Sequence, residues 1–401
     1  MRVLSLFSGC GGMDLGLEGD FWCLKKSIRN DEWIAKENAP WVKVKATGFE
    51  TVFANDIRPD AQKAWTTFWA SRIESPEKVY HLQSIVDLVK EAKAGQKVLP
   101  DDIDVVTGGF PCNDFSVSGK RLGFESHKSH LGTALSKEEP TIESRGMLYM
   151  WMRDVITLTE PKLFIAENVK GLTNLADVKE VIEHDFRTAG GDGYIVVPAK
   201  VLYAADYGVP QSRERVIFFG FKKSALRDGV AEELMKEVID NTYDPYPDKT
   251  HKKDDYVTCR DAFIGLKEPE EAEDPAQKKY SKAKYMGAHC QGQKEVNMDA
   301  VGPTIRAEHH GNIEYRRLNE EHGGKHKDEL SAGLPERRMS VRECARLQTF
   351  PDEYQFVIPG KNGLNASDAY KIIGNAVPPV LAYNIAQNIK AKWSTYFKEE
   401  K

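Results

Sequence analysis

Over the first two hundred residues, short apolar runs alternate with amphipathic stretches, the pattern of a doubly wound, mostly parallel α/β sheet. Runs rich in β-branched residues predict strands at Val3–Phe7, Thr51–Asn55, Asp104–Phe110, Leu163–Val169, Tyr194–Val201 and Arg215–Phe221. Apolar residues returning at three- and four-residue steps predict helices at Ala61–Ser71, Ser84–Lys93, Gly146–Thr159 and Val178–Thr188. After Phe221 this rhythm breaks. A charged stretch with turn clusters and little helical periodicity runs to about Arg338, so it reads as a smaller inserted domain. Helical patterning returns at Ser340–Leu347 and Val380–Trp393. The predicted division is therefore 1–221, 222–337 and 338–401, the last segment rejoining the first domain. Gly19–Phe49 and Glu125–Ser144 lengthen two connections beyond the usual crossover and read as surface insertions.

Composition narrows the class. A chain of 401 residues exceeds what one core usually organises, and 41% hydrophobic with 29% charged residues suits a globular enzyme. No apolar run reaches bilayer length and no leader pattern opens the chain, so the expectation is a cytoplasmic protein without a membrane partner. The six cysteines (10, 23, 112, 259, 290 and 344) show no paired Cys-x-x-Cys spacing, which argues against a metal site and a disulfide framework alike. A net charge of -5 argues against a nucleic-acid partner at the level of the whole chain and leaves that case to local patches.

Candidate chemistry gathers where predicted strands end. Phe7-Ser8-Gly9-Cys10-Gly11-Gly12 follows a strand and opens a helix, a turn whose glycines let backbone approach a nucleotide-type ligand. Asp14 sits where a third dinucleotide glycine would stand, which weakens a dinucleotide reading. Asp56, at the end of the second strand, suits either two ribose hydroxyls or a helix N-cap. Cys112, on a Pro111 turn past a strand's carboxyl end, reads as a nucleophile or as a buried inert thiol. Glu167 ends another strand at the same sheet edge, as a proton donor to a ring nitrogen or as a cap. Period-2 alternation would set Gln211, Arg213 and Arg215 on one face, where a guanidinium fork meets a carbonyl oxygen, a phosphate or a surface acid.

Taken together, Phe7 to Gly12, Pro111-Cys112 with Phe115-Ser116, Glu167-Asn168-Val169, Gln211-x-Arg213-x-Arg215, Arg342-Glu343 with Phe350-Pro351-Asp352, and Gly374-Asn375-Ala376-Val377-Pro378-Pro379 resemble the ordered motif set of the DNA (cytosine-5) methyltransferases. The resemblance covers nearly the whole chain. It implies a methyltransferase sheet that binds S-adenosyl-L-methionine, with a target-recognition domain in the 222–337 interval. By matching positions, Phe7, Gly9, Gly11, Gly12, Asp56, Leu148, Asn375 and Val377 would contact the cofactor. Cys112, Glu167 and Arg213 would be catalytic: the thiolate adds to C6 of a flipped cytosine, the carboxyl serves N3, and Arg213 meets O2. Gln211, Arg215, Ser116, Thr304, Ile305 and Arg306 would bind the substrate.

Double-stranded DNA is the implied partner, bound by a monomer, with a companion restriction endonuclease acting separately and a nucleoid-associated location. The segment from Ser116 to Gly146 would close over DNA, with Ser118 and Gly119 near the vacated base and Lys120, Arg121, Lys128 and Arg145 at phosphates; Arg316, Arg317 and His309 are further candidates for base or phosphate contacts. His309-His310 lacks the further spaced ligands of a metal site. Two positions depart from the family pattern: Asn113 stands where glutamine is common, and Ser84 where an aspartate commonly meets the adenine amino group. The alternatives are a tRNA cytosine-5 methyltransferase, a binding-only regulator and an NAD-dependent oxidoreductase.

Overall fold

The computed structural model describes residues 1–111, 147–174, 178–307 and 313–399. Seven strands build the central sheet: β1 (Arg2–Leu6), β2 (Glu50–Asp56), β3 (Tyr80–Leu82), β4 (Val105–Gly108), β5 (Leu163–Val169), β6 (Tyr194–Tyr203) and β7 (Glu214–Lys222). They lie in the order β3-β2-β1-β4-β5-β7-β6. The pairs β3·β2, β2·β1, β1·β4 and β4·β5 are parallel, whereas β7 runs antiparallel to both β5 and β6. The predicted α/β sheet is thus present. The three-residue edge strand β3 is absent from the sequence reading, because Tyr80-His81-Leu82 is too short to show alternation.

Alternation along the strands divides the core in two. Val3, Val105, Leu163, Ile165, Ile217 and Phe219 bury one face, and Leu4, Leu6, Val106, Phe164, Ala166, Val216 and Phe218 the other. The first face is covered by α1 (Gly12–Glu18), α2 (Pro59–Trp69), α7 (Ala366–Asn375) and α8 (Pro379–Tyr396), the second by α3 (Ile85–Lys93), α4 (Leu148–Thr159) and α5 (Val178–Arg187), with α6 (Val341–Leu347) feeding the first. Local chemistry fixes the helix starts. Pro59 and Pro379 occupy first-turn positions, Ser84 caps α3 through the Val86 amide, and Ser340 with Glu343 forms a capping box on α6. The C-terminal helix α8 packs along α1. It lies so close to α1 that a Cβ on Gly16 would come within 2.4 Å of Pro379 O and Ala382 Cβ.

The 19–49 insertion is only in part a surface element. It forms a three-stranded antiparallel sheet (Trp22–Leu24, Trp41–Val44 and Ile34–Asn38, in that spatial order) whose inner side chains Cys23, Val42 and Val44 are buried. Phe21 and Trp33 both pack edge-on against Tyr383 of α8. Its polar rim braces the inserted segment: Lys26 pairs with Asp261 and Arg29 with Asp255 at 2.7 Å. No helix among the described residues is long and apolar enough to cross a membrane.

The inserted segment has little regular structure and is held by buried guanidinium groups. Arg317 binds Glu268 and Glu329, Arg337 binds Glu268 and Glu343, and Arg342 and Arg346 bind Asp274 and Asp352. Arg316, 9% exposed, pairs with Glu329 at 2.7 Å. The expectation that Arg316 and Arg317 meet DNA is therefore corrected. Both are engaged inside the domain, where a guanidinium fork needs carboxylate partners to be buried at all.

Beneath the glycine turn, α1 meets α2 through two carboxylates. Asp14, fully buried, accepts hydrogen bonds from Ser5 Oγ (2.6 Å) and Trp65 Nε1 (2.9 Å); Glu18 accepts from Trp69 Nε1 at 3.1 Å. The two indoles stack 4.3 Å apart, because both pairs repeat at four-residue spacing on their helices. Burial pushes Asp14 up to about 6 and Glu18 up to about 7, each above its unfolded value near ~4. A raised folded value means that stability is full below the unfolded value and is lost as pH climbs through the folded one, here between about 4 and 7.5. Half-buried His81 and buried His251, whose values are lowered, act in the opposite sense. The readout is therefore a difference: Asp14→Asn with Glu18→Gln should flatten the wild-type loss of unfolding free energy between pH 5 and 7.5. Parallel pH curves for the two proteins would refute this.

Candidate active site

Parallel strands bring their carboxyl ends to one edge, and register sets which residues meet there. Leu6 lies opposite Asn55 and Gly108, Gly108 opposite Ala166, and Asp56 opposite Leu82. Phe7, Asp56, Gly109 and Glu167 therefore share the rim. Because β7 is antiparallel, its amino end comes to the same rim: Val169 faces Arg215, and Glu167 faces Ile217. Arg215 is thus the diagonal neighbour of Glu167 on the same face of the sheet. The Arg215 Nε to Glu167 Oε1 distance is 2.7 Å, with both side chains about nine-tenths buried. Burial raises the Glu167 pKa and the Arg215 charge lowers it, with the net effect upward.

Gly109 and Phe110 pass beside this pair. A Cβ on Gly109 would lie 2.9 Å from Glu167 Oε2, and Asn168 Nδ2 donates to Phe110 O at 3.2 Å. Cys112 lies outside the described residues, as do Asn113, Ser116, Ser118, Gly119, Lys120, Arg121, Lys128, Arg145, His309 and His310.

Arg213 is placed differently from its sequence reading. The strand begins only at Glu214, so strand alternation does not extend back to Arg213 and Gln211. Arg213, 0% exposed, donates to the main-chain carbonyls of Ile305 (3.0 Å), Gly374 (2.8 Å) and Ala376 (2.8 Å). Gln211 is equally buried. It donates to Leu347 O (3.1 Å) and Gln348 Oε1 (3.0 Å), and its own Oε1 accepts from the Ile305 amide at 2.9 Å. Ile305 is 1% exposed, and Thr304 donates its hydroxyl to Ser212 O. The expectations of an O2 contact from Arg213 and of substrate contacts from Gln211 and Ile305 are corrected on these grounds. The three residues clamp the 302–305 strip and the 374–376 turn to the start of β7. Arg306 pairs with Glu314 at 2.7 Å, and its backbone presses on Gly374, where a Cβ would meet Arg306 C at 2.3 Å.

The cofactor candidates separate into two kinds. Phe7 and Gly9 both take left-handed backbone (φ 52° and 55°), and a Cβ on Gly9 would meet no atom within 4 Å, so the space before it is open. The Gly9 amide donates to Asp56 Oδ2 at 2.9 Å, the Arg58 amide to Asp56 Oδ1 at 3.0 Å, and Tyr80 donates its hydroxyl to Gly9 O at 2.9 Å. Each Asp56 oxygen keeps a further lone pair for a ligand hydroxyl. Asn375, held between the two carbonyls that Arg213 grips, is exposed. By contrast, Gly11 and Gly12 have packing reasons for lacking a side chain. A Cβ would strike Trp65 Cδ1 at 2.5 Å on the first and Val377 O at 2.2 Å on the second. Val377 and Leu148 are buried in the core.

Two apolar residues at this rim are missing from the sequence reading. Ile57, 41% exposed, and Leu82, 43% exposed, follow and face Asp56 on neighbouring strand ends, an apolar ledge suited to a flat ring. The available signal was an isoleucine directly after the strand-end carboxylate. Ser84 is the N-cap of α3 and 5% exposed.

The model of the family described as C-5 cytosine-specific DNA methylase matches residues 1–391. The chain is 30% identical over 422 residues to the Type II methyltransferase M.BsuRI of Bacillus subtilis, covering all of this chain and 81% of that protein. It is likewise 30% identical over 418 residues to the Type II methyltransferase M.BspRI of Lysinibacillus sphaericus, covering 99% and 83%. Among solved structures, the Dnmt2 methyltransferase of S. pombe superposes with a TM-score of 0.58 at 18% identity, covering 98% of this chain and 99% of that one, a likeness of fold.

Proposed function

The chain belongs to the C-5 cytosine-specific DNA methylase family, and from that premise we propose that this DNA (cytosine-5) methyltransferase works by covalent addition of Cys112 to an extruded cytosine at a specific duplex sequence. C5 of cytosine is a weak nucleophile. A thiolate adding at C6 turns the ring into an enamine, which makes C5 reactive. Glu167, with its raised pKa, supplies the proton or hydrogen bond at N3 as electron density builds there. Arg215 takes the O2 role in place of Arg213, because its guanidinium is the one paired with Glu167 at the rim. Loss of the C5 proton then expels the thiolate and restores the aromatic ring. The base must leave the stack to meet these groups, at a cost of about a few kcal/mol.

The open face of Gly9, the fixed carboxylate of Asp56 and the Ile57–Leu82 ledge fit S-adenosyl-L-methionine. Asp56 would accept from the ribose hydroxyls, Ile57 and Leu82 would flank the adenine, and Phe7 and Asn375 would line the remaining wall. When bound, that cofactor supplies an electrophilic methyl group. The proposed division of labour keeps the cofactor-binding sheet at 1–221 and 338–401 and DNA reading in 222–337. The protein would act as a monomer on duplex DNA, with any companion nuclease a separate protein.

The observation that carries this reading is the Glu167–Arg215 pair beside Gly109, three residues before Cys112 in the sequence. Incubation with methyl-labelled S-adenosyl-L-methionine and duplex DNA should place label on cytosine C5. Label on cytosine N4, or on tRNA alone, would overturn it.

A further inference from the structure

Between Asp274 and Glu295 the chain carries five lysines and no carboxylate, within a protein of net charge -5. Lys278, Lys279, Lys282, Lys284 and Lys294 are all exposed, and among the described residues none is paired with an acid. The bordering acids are occupied: Asp274 pairs with Arg342, and Glu295 accepts from the Leu318 (2.8 Å) and Lys325 (2.7 Å) amides. Tyr280 and Tyr285 interleave with the lysines, the Lys282 ammonium lying 3.6 Å from the centre of the Tyr280 ring.

This strip is held in place by a buried guanidinium. Arg338, 1% exposed, donates to Ala283 O (3.0 Å), Lys284 O (3.2 Å), Gly292 O (2.7 Å) and Ile313 O (2.5 Å), and lies 4.1 Å from the centre of the Tyr315 ring. One residue thus joins the lysine strip to the 313–315 segment. That segment is linked in turn to the rim, since Glu314 pairs with Arg306, whose backbone packs on Gly374 in the turn that Arg213 grips. Continuous contacts therefore tie the strip to the 374–376 segment that Arg213 grips.

We propose that Lys278, Lys279, Lys282, Lys284 and Lys294 form a phosphate-tracking surface that supplies much of the nonspecific affinity for duplex DNA. The proposal rests on the function argued above and assigns the cations that offset the acidic chain. Such a surface reads charge rather than sequence. Each phosphate contact neutralised by a lysine contributes about 0.9 to the slope of log affinity against log salt. Arg316, Arg317 and Arg337 of the inserted segment are buried and paired with carboxylates, whereas among the described residues none of these lysines has an acid partner.

The test is the salt dependence of duplex binding by the full chain, measured for wild type and for Lys278→Ala/Lys279→Ala/Lys282→Ala/Lys284→Ala. The quadruple variant should lose about two or more from the slope and bind at least about tenfold more weakly at low salt. Its kcat at saturating DNA and its thermal midpoint should be unchanged. The matching Lys→Arg variant should keep the wild-type slope, which separates charge from fold. An unchanged slope in the alanine variant overturns the strip. A wild type that binds duplex with the expected slope yet transfers no methyl group overturns the proposed function while the strip result stands; no duplex binding at all overturns both.

Discussion

Replacing Arg215 by alanine should lower kcat/KM for methyl transfer by about two to three orders of magnitude with little change in thermal midpoint, whereas Arg213→Ala should unfold the protein readily. The two arginines are two residues apart and chemically identical, so the contrast tests placement alone. Arg215 stands at the rim with one carboxylate partner; without it, the buried Glu167 carboxyl loses the charge that opposes the upward push of burial on its pKa. Loss falls on the transition state, where charge on the pyrimidine carbonyl has no donor. Arg213 grips three main-chain carbonyls from two distant segments at zero exposure, and removing it strands those carbonyls. The cost should be about 3–5 kcal/mol, read as a drop in denaturant midpoint. Arg215→Lys keeps charge but loses the fork, so it should fall between wild type and alanine in rate. Wild-type stability in Arg213→Ala combined with full turnover in Arg215→Ala would reverse the assignment.

The ambiguity between these arginines shows what a sequence carries and where it stops. Strand cores announce themselves: Leu163 to Ala166 is a continuous apolar run that leads into the carboxylate of Glu167, and both the strand and the rim position of Glu167 follow from it. The glycine turn is legible for the same reason, since Gly9 and Asp56 lie at the ends of adjacent strands that the pattern already predicts. What fails is the register of a motif against its strand. Gln211, Arg213 and Arg215 show perfect alternation, but Pro210 and the bridge from Gln211 to Gly302 delay the strand until Glu214. Long-range polar closure is likewise invisible in the sequence: nothing in the spacing of Arg338 announces that it joins residues from 283 to 315. Arg316 and Arg317 read as candidates for base or phosphate contacts, and burial by carboxylate pairing reverses that reading.

The same distinction explains why the glycines of one short turn serve different ends. Gly9 leaves room for something outside the chain, while Gly11 and Gly12 leave room for Trp65 and for the backbone of Val377. A side chain at either of the latter positions would push α2 or the 376–378 turn away and so deform the proposed cofactor wall from behind. Sequence spacing alone treats the three as one ligand-binding loop. The C-terminal turn therefore serves as structural support for the loop that opens the chain, which is a physical reason for the last segment to return to the first strand.

Cys112→Ala should abolish methyl transfer, by at least about 10⁴-fold, while the affinity for S-adenosyl-L-methionine stays that of wild type. In the proposed mechanism the thiolate is needed only to activate the ring, and the proposed cofactor wall is built from other strand ends, at Gly9, Asp56, Ile57 and Leu82. A covalent trap makes the same point without relying on lost activity. With duplex DNA carrying 5-fluorocytosine at the target, addition at C6 and methylation at C5 proceed, but fluorine does not leave as the proton does. The carbon–sulfur bond then persists and should appear as a denaturation-resistant protein–DNA species. Wild type should form it in the presence of S-adenosyl-L-methionine, with the modified peptide containing Cys112, and Cys112→Ala should not. Glu167→Gln should form it more slowly, because an amide cannot deliver a proton to N3 while the thiolate adds. An adduct mapped to another cysteine, or turnover in Cys112→Ala, would mean that the Glu167–Arg215 pair serves a reaction without this nucleophile.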